Sequence, residues 1–214
     1  MPFAKIYVVR HGETQANKDS VIQGQLDTEL NETGVEQARR VADALRSVHF
    51  DAAYSSDLVR AFKRGLTVKL EFLGDMQGTN IGAGIQARVS MGNDSVEPGG
   101  VFAARAVGWW KKAILQRTRA LPPRETAYNV LVTSHGGWIM ALVRTLVGSG
   151  KARCAPGVEI TTCRNTSVSI IELELGDQPA TIVQFGDVAH WERRNEMVET
   201  NIDEAVVDAS GIAN

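Results

Sequence analysis

The chain has 214 residues, of which 43% are hydrophobic and 22% are charged. This composition is typical of a globular domain with its own core, and it excludes a disordered, collagen-like or coiled-coil chain. The 23 Lys and Arg residues against 25 Asp and Glu give a net charge of -2, so the chain lacks the broad positive charge that nucleic acid or an anionic membrane attracts.

Two features bear on cellular location. The longest strongly apolar stretch, residues 138–143, is far shorter than the ~20 residues that cross a bilayer. The apolar run at residues 6–9 is too short for a signal peptide. We therefore expect a cytoplasmic protein without a membrane partner. Cys154 and Cys163 have neither CxxC nor zinc-site spacing, which predicts two reduced thiols.

The first third of the chain alternates strand and helix patterns. Residues 6–9 form a β-branched and aromatic run that predicts a buried strand ending in a loop. Residues 33–36 read as a capping box that opens an amphipathic helix. Residues 51–54 predict a short strand, and a short helix is expected from residue 58 to about Gly65.

The middle of the chain contains a candidate insertion. Residues 67–72 alternate in hydrophobicity and predict an extended segment. The following Gly- and Asn-rich stretch predicts an irregular insertion or lid at about residues 73–101. Apolar residues then recur at helical spacing over residues 102–114 until Pro122 and Pro123. We interpret the aromatic stripe of this helix as core.

The last third repeats the strand-to-helix arrangement. Residues 129–133 predict an apolar strand, and an apolar helix follows over residues 138–147. Residues 168–175 and 181–185 predict a hairpin that closes the sheet. The acidic tail at residues 199–214 is expected to be unstructured. The alternation as a whole predicts an α/β domain with a mostly parallel central sheet covered on both faces.

Two histidines, His11 and His135, each follow a strand pattern and precede a glycine. This places both where open α/β sheets bind ligands. His11 stands in the segment Arg10-His11-Gly12-Glu13-Thr14, whose chemistry suits phosphate. A guanidinium binds phosphate oxygens through paired donors, glycine lets backbone N–H groups approach an anion, and a neutral imidazole attacks phosphorus.

Other residues are candidates for the same site. His135 and Gly136 stand at a helix start, where free N–H groups favour an anion, and a protonated His135 would add positive charge. Arg60 would contact the phosphate from a third direction. Neutral donors would come from Asn17, Gln23 and Gly24.

Competing interpretations stay open from the residues alone. A single Arg-His-Gly tripeptide is a weak signal, and His135 alone fits a structural histidine equally well. A metal site built on the two histidines and Glu13 lacks an HExxH pair or a carboxylate cluster. The Walker A, GxGxxG and GxSxG motifs are absent, so P-loop hydrolysis, dinucleotide binding and nucleophile-elbow chemistry lack their signatures.

The order of these motifs resembles the histidine phosphatase superfamily, also called the phosphoglycerate mutase-like family. The resemblance covers residues 4–190, and its motifs are Arg10-His11-Gly12-Glu13-Thr14, Asn17, Gln23-Gly24, residues 30–38, residues 55–61 and Ser134-His135-Gly136. Within the superfamily, residues 22–25 and 71–78 are most similar to fructose-2,6-bisphosphatases of the TIGAR type and to related broad-specificity phosphatases.

The resemblance implies a three-layer αβα sandwich and a phosphohistidine mechanism without metal or cofactor. It implies one domain over residues 1–198, with the insertion at about 73–101 and a disordered tail at 199–214. By similarity, His11 is the nucleophile. The remaining site residues by similarity are Arg10, Arg60 and His135 around the phosphate, with Asn17, Gln23, Gly24 and Gly136 as substrate-binding residues.

The chain departs from the family after Arg60 and Ala61, where a segment is shortened before the expected acid/base carboxylate. The resemblance makes Glu71 the candidate proton donor. Its alternative is an exposed strand carboxylate. Glu13 is a second candidate, and Glu97 is interpreted as a substrate-positioning or helix-capping residue.

These observations predict a phosphoric monoester hydrolase acting on small phosphorylated metabolites, such as sugar phosphates or bisphosphates. A phosphoglycerate mutase is the first alternative, because it uses the same phosphohistidine. A phosphate-ester-binding pseudo-enzyme, resulting from the shortened segment, is the second. The sequence leaves the substrate and the oligomeric state undetermined.

Overall fold

The computed structural model describes residues 1–62, 79–80 and 97–191. The strands are β1 (Ala4–Arg10), β2 (Ala52–Ser55), β3 (Thr79–Asn80), β4 (Tyr128–Ser134), β5 (Ala152–Cys154), β6 (Val168–Leu173) and β7 (Ala180–Asp187). In the described part of the chain they form a seven-stranded sheet in the order β3-β2-β4-β1-β6-β7-β5.

The helices flank this sheet. They are α1 (Gln15–Lys18), α2 (Glu32–Ala44), α3 (Val59–Phe62), α4 (Gly99–Trp109), α5 (Gln116–Arg119) and α6 (Gly136–Gly148). A π-helical stretch, Trp110–Leu115, joins α4 to α5 without a break. The predicted helix over residues 102–114 is therefore confirmed, and it extends further at both ends.

The sheet is mostly parallel, as predicted. Strands β3, β2, β4 and β1 pair in parallel, and β5 is parallel to β7. Among the described strands of the sheet, the antiparallel pairs are those that β6 forms with its two neighbours, β1 and β7. The predicted hairpin is thus β6 and β7. The α/β fold class is confirmed.

Both faces of the sheet are covered, which confirms the three-layer arrangement. Alternate residues of β1 point to opposite sides, as in any strand. Ile6 belongs to the larger apolar cluster, which contains residues of α4 and α6, whereas Val9 packs with Val41 of α2. Trp109 and Trp138 pack edge to face in the larger cluster, with ring centroids 5.2 Å apart. The aromatic stripe is therefore core.

The register of the central pair brings the two strand-His-Gly units together. Strands β1 and β4 are adjacent and parallel, and Arg10 pairs with Ser134 at their carboxyl ends. The next residues, His11 and His135, therefore emerge side by side at one edge of the sheet.

The start of α2 differs from the prediction. Its N-cap is Asn31, whose Oδ1 accepts a 2.8 Å hydrogen bond from the N–H of Gly34. The capping box expected at residues 33–36 is therefore wrong. A tertiary contact fixes Asn31 as the N-cap, because the backbone N–H of Asn31 also donates to the carbonyl of Glu13 at 3.0 Å.

Most of the candidate insertion at residues 73–101 lies outside the described residues, so its extent stays a prediction. Residues 79–80 form β3 at the edge of the sheet, and α4 already begins at Gly99, so the stretch 73–101 is not wholly irregular. Strand β5 was not predicted, because three residues are too few for a periodic pattern. The expected segment at residues 67–72, the helix end near Gly65 and the tail lie outside the described residues.

Two further predictions can be compared with the structure. Cys154 and Cys163 are free cysteines, as expected. Among the described residues, no helix has the length and apolar character required to cross a bilayer. The domain boundary at residue 198 and the cytoplasmic location stay predictions.

Candidate active site

The side chain of His11 presents an unbonded ring nitrogen at the end of β1. Its Nδ1 lies 2.7 Å from the carbonyl oxygen of Gly12. Because a carbonyl only accepts hydrogen bonds, Nδ1 carries the proton and Nε2 carries the lone pair. Nε2 is buried and makes no hydrogen bond, and the residue is 4% exposed. A buried nitrogen lone pair without a donor is poised to react with an electrophile.

Electrostatics keep His11 neutral. Burial lowers the pKa of His11 well below its usual value, and the nearby His135, Arg10 and Arg60 lower it further. Desolvation and neighbouring positive charge both disfavour the imidazolium. The ring is therefore in its nucleophilic form at neutral pH.

His135 faces His11, with ring centroids 5.1 Å apart. Its Nδ1 accepts a 3.2 Å hydrogen bond from Nε of Arg60, and its Nε2 lies 2.7 Å from Oγ of Ser56. Since arginine cannot accept, the proton of His135 is on Nε2, which donates to Ser56. Burial, Arg60 and Arg10 together lower the pKa of His135 to about 3. The ring of His135 is therefore neutral at neutral pH, and the added positive charge of a protonated His135 during phosphoryl transfer stays a prediction.

Arg60, from α3, links His135 to the loop that follows α1. One terminal nitrogen donates to the carbonyl of Leu26 at 2.6 Å, and the other donates to the carbonyl of Gly24 at 3.0 Å. The planar fork of a guanidinium allows these contacts at the same time as the one to His135. Arg60 therefore joins three segments that are distant in sequence.

Arg10 lies at the N-terminus of α6. Its Nη1 donates to the carbonyl of Cys163 at 2.8 Å. A Cβ built on Gly136 would lie 3.2 Å from Nε of Arg10, so the guanidinium packs directly on that glycine. His135 is the N-cap of α6 and gives no side-chain cap, so the first N–H groups of the helix favour an anion beside two arginines.

A polar cluster orients the amides of Asn17 and Gln23. Oδ1 of Asn17 accepts from the backbone N–H of Thr14 at 3.2 Å, which sets the direction of the amide. Oε1 of Gln23 accepts from the hydroxyl groups of Thr14 and Thr28. Nε2 of Gln23 is buried without a hydrogen-bond partner. Such a buried donor is costly unless a ligand accepts from it.

Gly12 is required by the packing of the loop after β1 against the start of α2. A Cβ at Gly12 would lie 2.3 Å from the carbonyl oxygen of Gly34, and a Cβ at Gly34 would lie 2.0 Å from the carbonyl oxygen of Glu13. The two glycines let the loop after β1 and the start of α2 meet backbone to backbone. The close approach of α2 therefore requires glycine at this position, and the approach of backbone N–H groups to an anion stays a prediction.

The two candidate carboxylates that the structure describes, Glu13 and Glu97, are each paired with another side chain. Glu13 accepts a 2.7 Å hydrogen bond from Nδ2 of Asn31, so its carboxylate anchors α2. Glu97 forms an ion pair with Arg105 at 2.7 Å and is not a side-chain cap of α4. Glu71 lies outside the described residues.

Sequence reasoning missed three residues that contact the two histidines. Ser56 accepts from His135, and both Asn165 and Thr166 donate to the carbonyl of His11. A Ser-Ser-Asp sequence before a helix looked like a cap, and Asn165 and Thr166 stood before a predicted strand without any pattern. The sequence offered one signal for these residues: Ser56 directly follows β2, and Asn165 and Thr166 shortly precede β6.

An αβα sandwich with two histidines and two arginines at the carboxyl edge of its sheet, beside a helix N-terminus, is suited to binding and transferring phosphate. The comparisons agree. The family model for the histidine phosphatase superfamily (branch 1) matches residues 6–70. The chain is 34% identical to Phosphoglycerate mutase-like protein 4 of Arabidopsis thaliana over 213 residues, covering 89% of this chain and 88% of that protein. The chain belongs to the histidine phosphatase superfamily.

Two further relatives are phosphatases. The chain is 26% identical to the broad-specificity phosphatase YOR283W of Saccharomyces cerevisiae, covering 87% of this chain and 86% of that one. It is 44% identical to mouse fructose-2,6-bisphosphatase TIGAR over 79 residues, which are 36% of this chain and 29% of that protein. These relatives confirm the predicted enzyme class, a phosphoric monoester hydrolase of the histidine phosphatase type.

Solved structures share the fold. The crystal structure of a phosphoglycerate mutase from Bacillus anthracis superimposes with a TM-score of 0.66 at 23% identity, covering 87% of this chain and 94% of that chain. A mycobacterial glucosyl-3-phosphoglycerate phosphatase gives a TM-score of 0.65 at 22% identity, covering 86% of this chain and 99% of that chain.

Proposed function

We propose that this protein hydrolyses small phosphorylated metabolites through a phosphohistidine intermediate on His11. One observation carries the proposal: Nε2 of His11 is a buried, unbonded lone pair on a neutral ring beside two guanidinium groups. This pairing of a nucleophile with fixed positive charge is what phosphoryl transfer requires.

The reaction has two steps. Nε2 of His11 attacks phosphorus, so a P–N bond forms and the bond to the ester oxygen breaks. Water then attacks phosphorus and the P–N bond breaks, while the water gives a proton to the carboxylate that protonated the leaving oxygen. This step releases inorganic phosphate and restores the neutral imidazole. Arg10 and Arg60 neutralise the charge on the phosphoryl oxygens in both steps, and the N-terminus of α6 adds N–H donors.

The leaving oxygen needs a proton, and we assign Glu71 as its donor by similarity to the family. Glu13 is the weaker candidate, because its carboxylate already accepts a hydrogen bond from Asn31, the N-cap of α2. Substrate recognition falls to Asn17, Gln23, Gly24 and Gly136. The unsatisfied Nε2 of Gln23 supports this assignment, since a substrate oxygen would supply its missing acceptor.

The substrate class is inferred from the relatives. Their names include a fructose-2,6-bisphosphatase, a broad-specificity phosphatase and a metal-independent phosphoserine phosphatase. We therefore place sugar phosphates and bisphosphates, including fructose-2,6-bisphosphate, first among the substrates. A mutase uses the same first step and differs only in passing the phosphoryl group to a substrate hydroxyl.

The test is covalent labelling together with phosphate release, over a panel of sugar phosphates, bisphosphates, phosphoserine and phosphoglycerates. We expect an acid-labile label on His11 with release of inorganic phosphate. His11→Ala should lose both, while His49→Ala, which changes a histidine far from the site, should keep both. Label on another residue would refute the assignment of His11. Transfer into an isomerised phosphoglycerate would identify a mutase, and neither label nor release from a folded chain would identify a pseudo-enzyme.

A further inference from the structure

The backbone carbonyl of His11 is held by two donors from the loop that precedes β6. Nδ2 of Asn165 donates to this oxygen at 3.0 Å, and the backbone N–H of Thr166 donates to it at 3.2 Å. Asn165 and Thr166 are each 1% exposed. A carbonyl with both lone pairs occupied has little freedom to rotate, so the peptide that joins His11 to Gly12 is fixed.

Thr166 is held in an unfavourable backbone conformation. Its φ is 53°, in the left-handed region that a β-branched residue rarely adopts. Such strain persists only where the surrounding contacts impose it, and it is concentrated at functional sites. Here the hydroxyl group supplies the contacts, since it accepts from Nε1 of Trp191 at 2.9 Å and lies 3.2 Å from Nε2 of His190.

The fixed peptide controls the ring. The proton on Nδ1 of His11 is directed by the carbonyl of Gly12, one peptide further along. A shift of the His11 peptide that displaces Gly12 moves that carbonyl and changes the direction in which Nε2 points. We propose that Asn165 and Thr166 are positioning residues, which aim Nε2 of His11 for attack on phosphorus by fixing the His11 carbonyl.

This inference rests on the proposed function of His11, and a comparison of variants separates the two. Thr166→Gly keeps the backbone N–H, tolerates a positive φ and removes the hydroxyl anchor. Thr166→Ser keeps the hydroxyl group. Asn165→Ala removes one donor and leaves the other. The matched control is Asn129→Ala, because Nδ2 of Asn129 also donates to a histidine backbone carbonyl at 3.0 Å, that of His49, at the opposite end of β4.

The measurements are the rate of phosphohistidine formation from p-nitrophenyl phosphate and the affinity for inorganic phosphate. Misplacement of a reacting group by about 1 Å costs up to about 100-fold in rate. We expect Thr166→Gly and Asn165→Ala to label about 10- to 100-fold more slowly, with phosphate affinity within about twofold of wild type, because both arginines are intact. Thr166→Ser and Asn129→Ala should label at the wild-type rate.

Nitrogen NMR of the His11 ring gives a readout that does not depend on turnover. Wild type should show a single tautomer protonated on Nδ1, and Asn165→Ala and Thr166→Gly should show a mixture. Wild-type labelling rates and a single tautomer in both variants would overturn the positioning role while leaving His11 as nucleophile. Failure of wild type to label His11 would overturn the proposed function, and the positioning role with it.

Discussion

Arg60 donates from Nε to Nδ1 of His135, over a distance of 3.2 Å and a separation of 75 residues in sequence. The contact holds His135 as a neutral ring, because a nitrogen that accepts from a guanidinium cannot also bear a proton. The resting site therefore holds the fixed charges of Arg10 and Arg60 without an imidazolium. As a neutral ring, His135 contributes its position and its hydrogen bonds with Arg60 and Ser56 to the site.

Ser56→Ala should slow catalysis by misaligning His135. The serine Oγ is the acceptor for the Nε2 proton of His135, and its removal leaves a buried donor unsatisfied. We expect a fall in kcat of about 10-fold and a loss of stability of about 1 kcal/mol. Ser55→Ala is the matched control, since Ser55 is also buried and is adjacent in sequence. Equal kcat values for the two variants would contradict this role of Ser56.

Stability should fall as the pH is lowered from 7 to 5. The pKa of His135 is about 3 in the folded chain, against 6.5 for an ordinary histidine, so the unfolded chain binds a proton that the folded chain excludes between these values. Stability is therefore greatest above pH 6.5, and His135 alone removes about 1.4 kcal/mol per pH unit below it. The pKa of His11 is shifted in the same direction and steepens the loss.

Urea denaturation at several pH values between about 5 and 7 measures this slope. His135→Gln should reduce the slope by the contribution of one proton, because glutamine does not titrate. An unchanged slope in that variant would show that His135 is not the titrating group.

Alanine substitutions at two glycines should separate stability from activity. Gly12→Ala places a Cβ 2.3 Å from the carbonyl of Gly34, so it should destabilise the fold by more than ~3 kcal/mol. The three atoms nearest to a Cβ at Gly136 all belong to the side chain of Arg10, the closest at 3.2 Å, and alanine is the better helix former. Gly136→Ala should keep or raise the melting temperature while weakening phosphate binding. Gly108→Ala, within α4 and with no neighbour inside 4 Å, is the control and should leave phosphate affinity unchanged.

Arg60→Lys should release the loop that contains Gly24 and Leu26. A lysine keeps the charge but cannot reach both carbonyls and His135 with one ammonium. We expect faster hydrogen exchange at the amide of Leu26, which donates to the carbonyl of Gln23, and a fall in kcat/KM of about 100-fold. Arg40→Lys, a partly exposed arginine paired with Glu36 on α2, should change neither. Protection at Leu26 equal to wild type would refute the anchoring role.

Local patterns in the sequence were sufficient to predict the framework of the site. Strands β1 and β4 are continuous apolar runs, and each is followed by a histidine and a glycine. The pattern therefore placed both His11 and His135 at the ligand-binding edge of a parallel sheet. Their closeness required the pairing of β1 with β4, which the structure supplied. The three-layer fold was predicted from the resemblance of several ordered motifs.

The contacts that orient those residues were decided by tertiary structure. Asn165 meets His11 across 154 positions, and Ser56 meets His135 across 79. The N-cap of α2 and the need for Gly12 depend on the close approach of α2 to the loop after β1. Such pairings are invisible in a sequence because they depend on how the layers pack. The identities of the reacting groups are local information, whereas their protonation and direction are set by neighbours that only folding supplies.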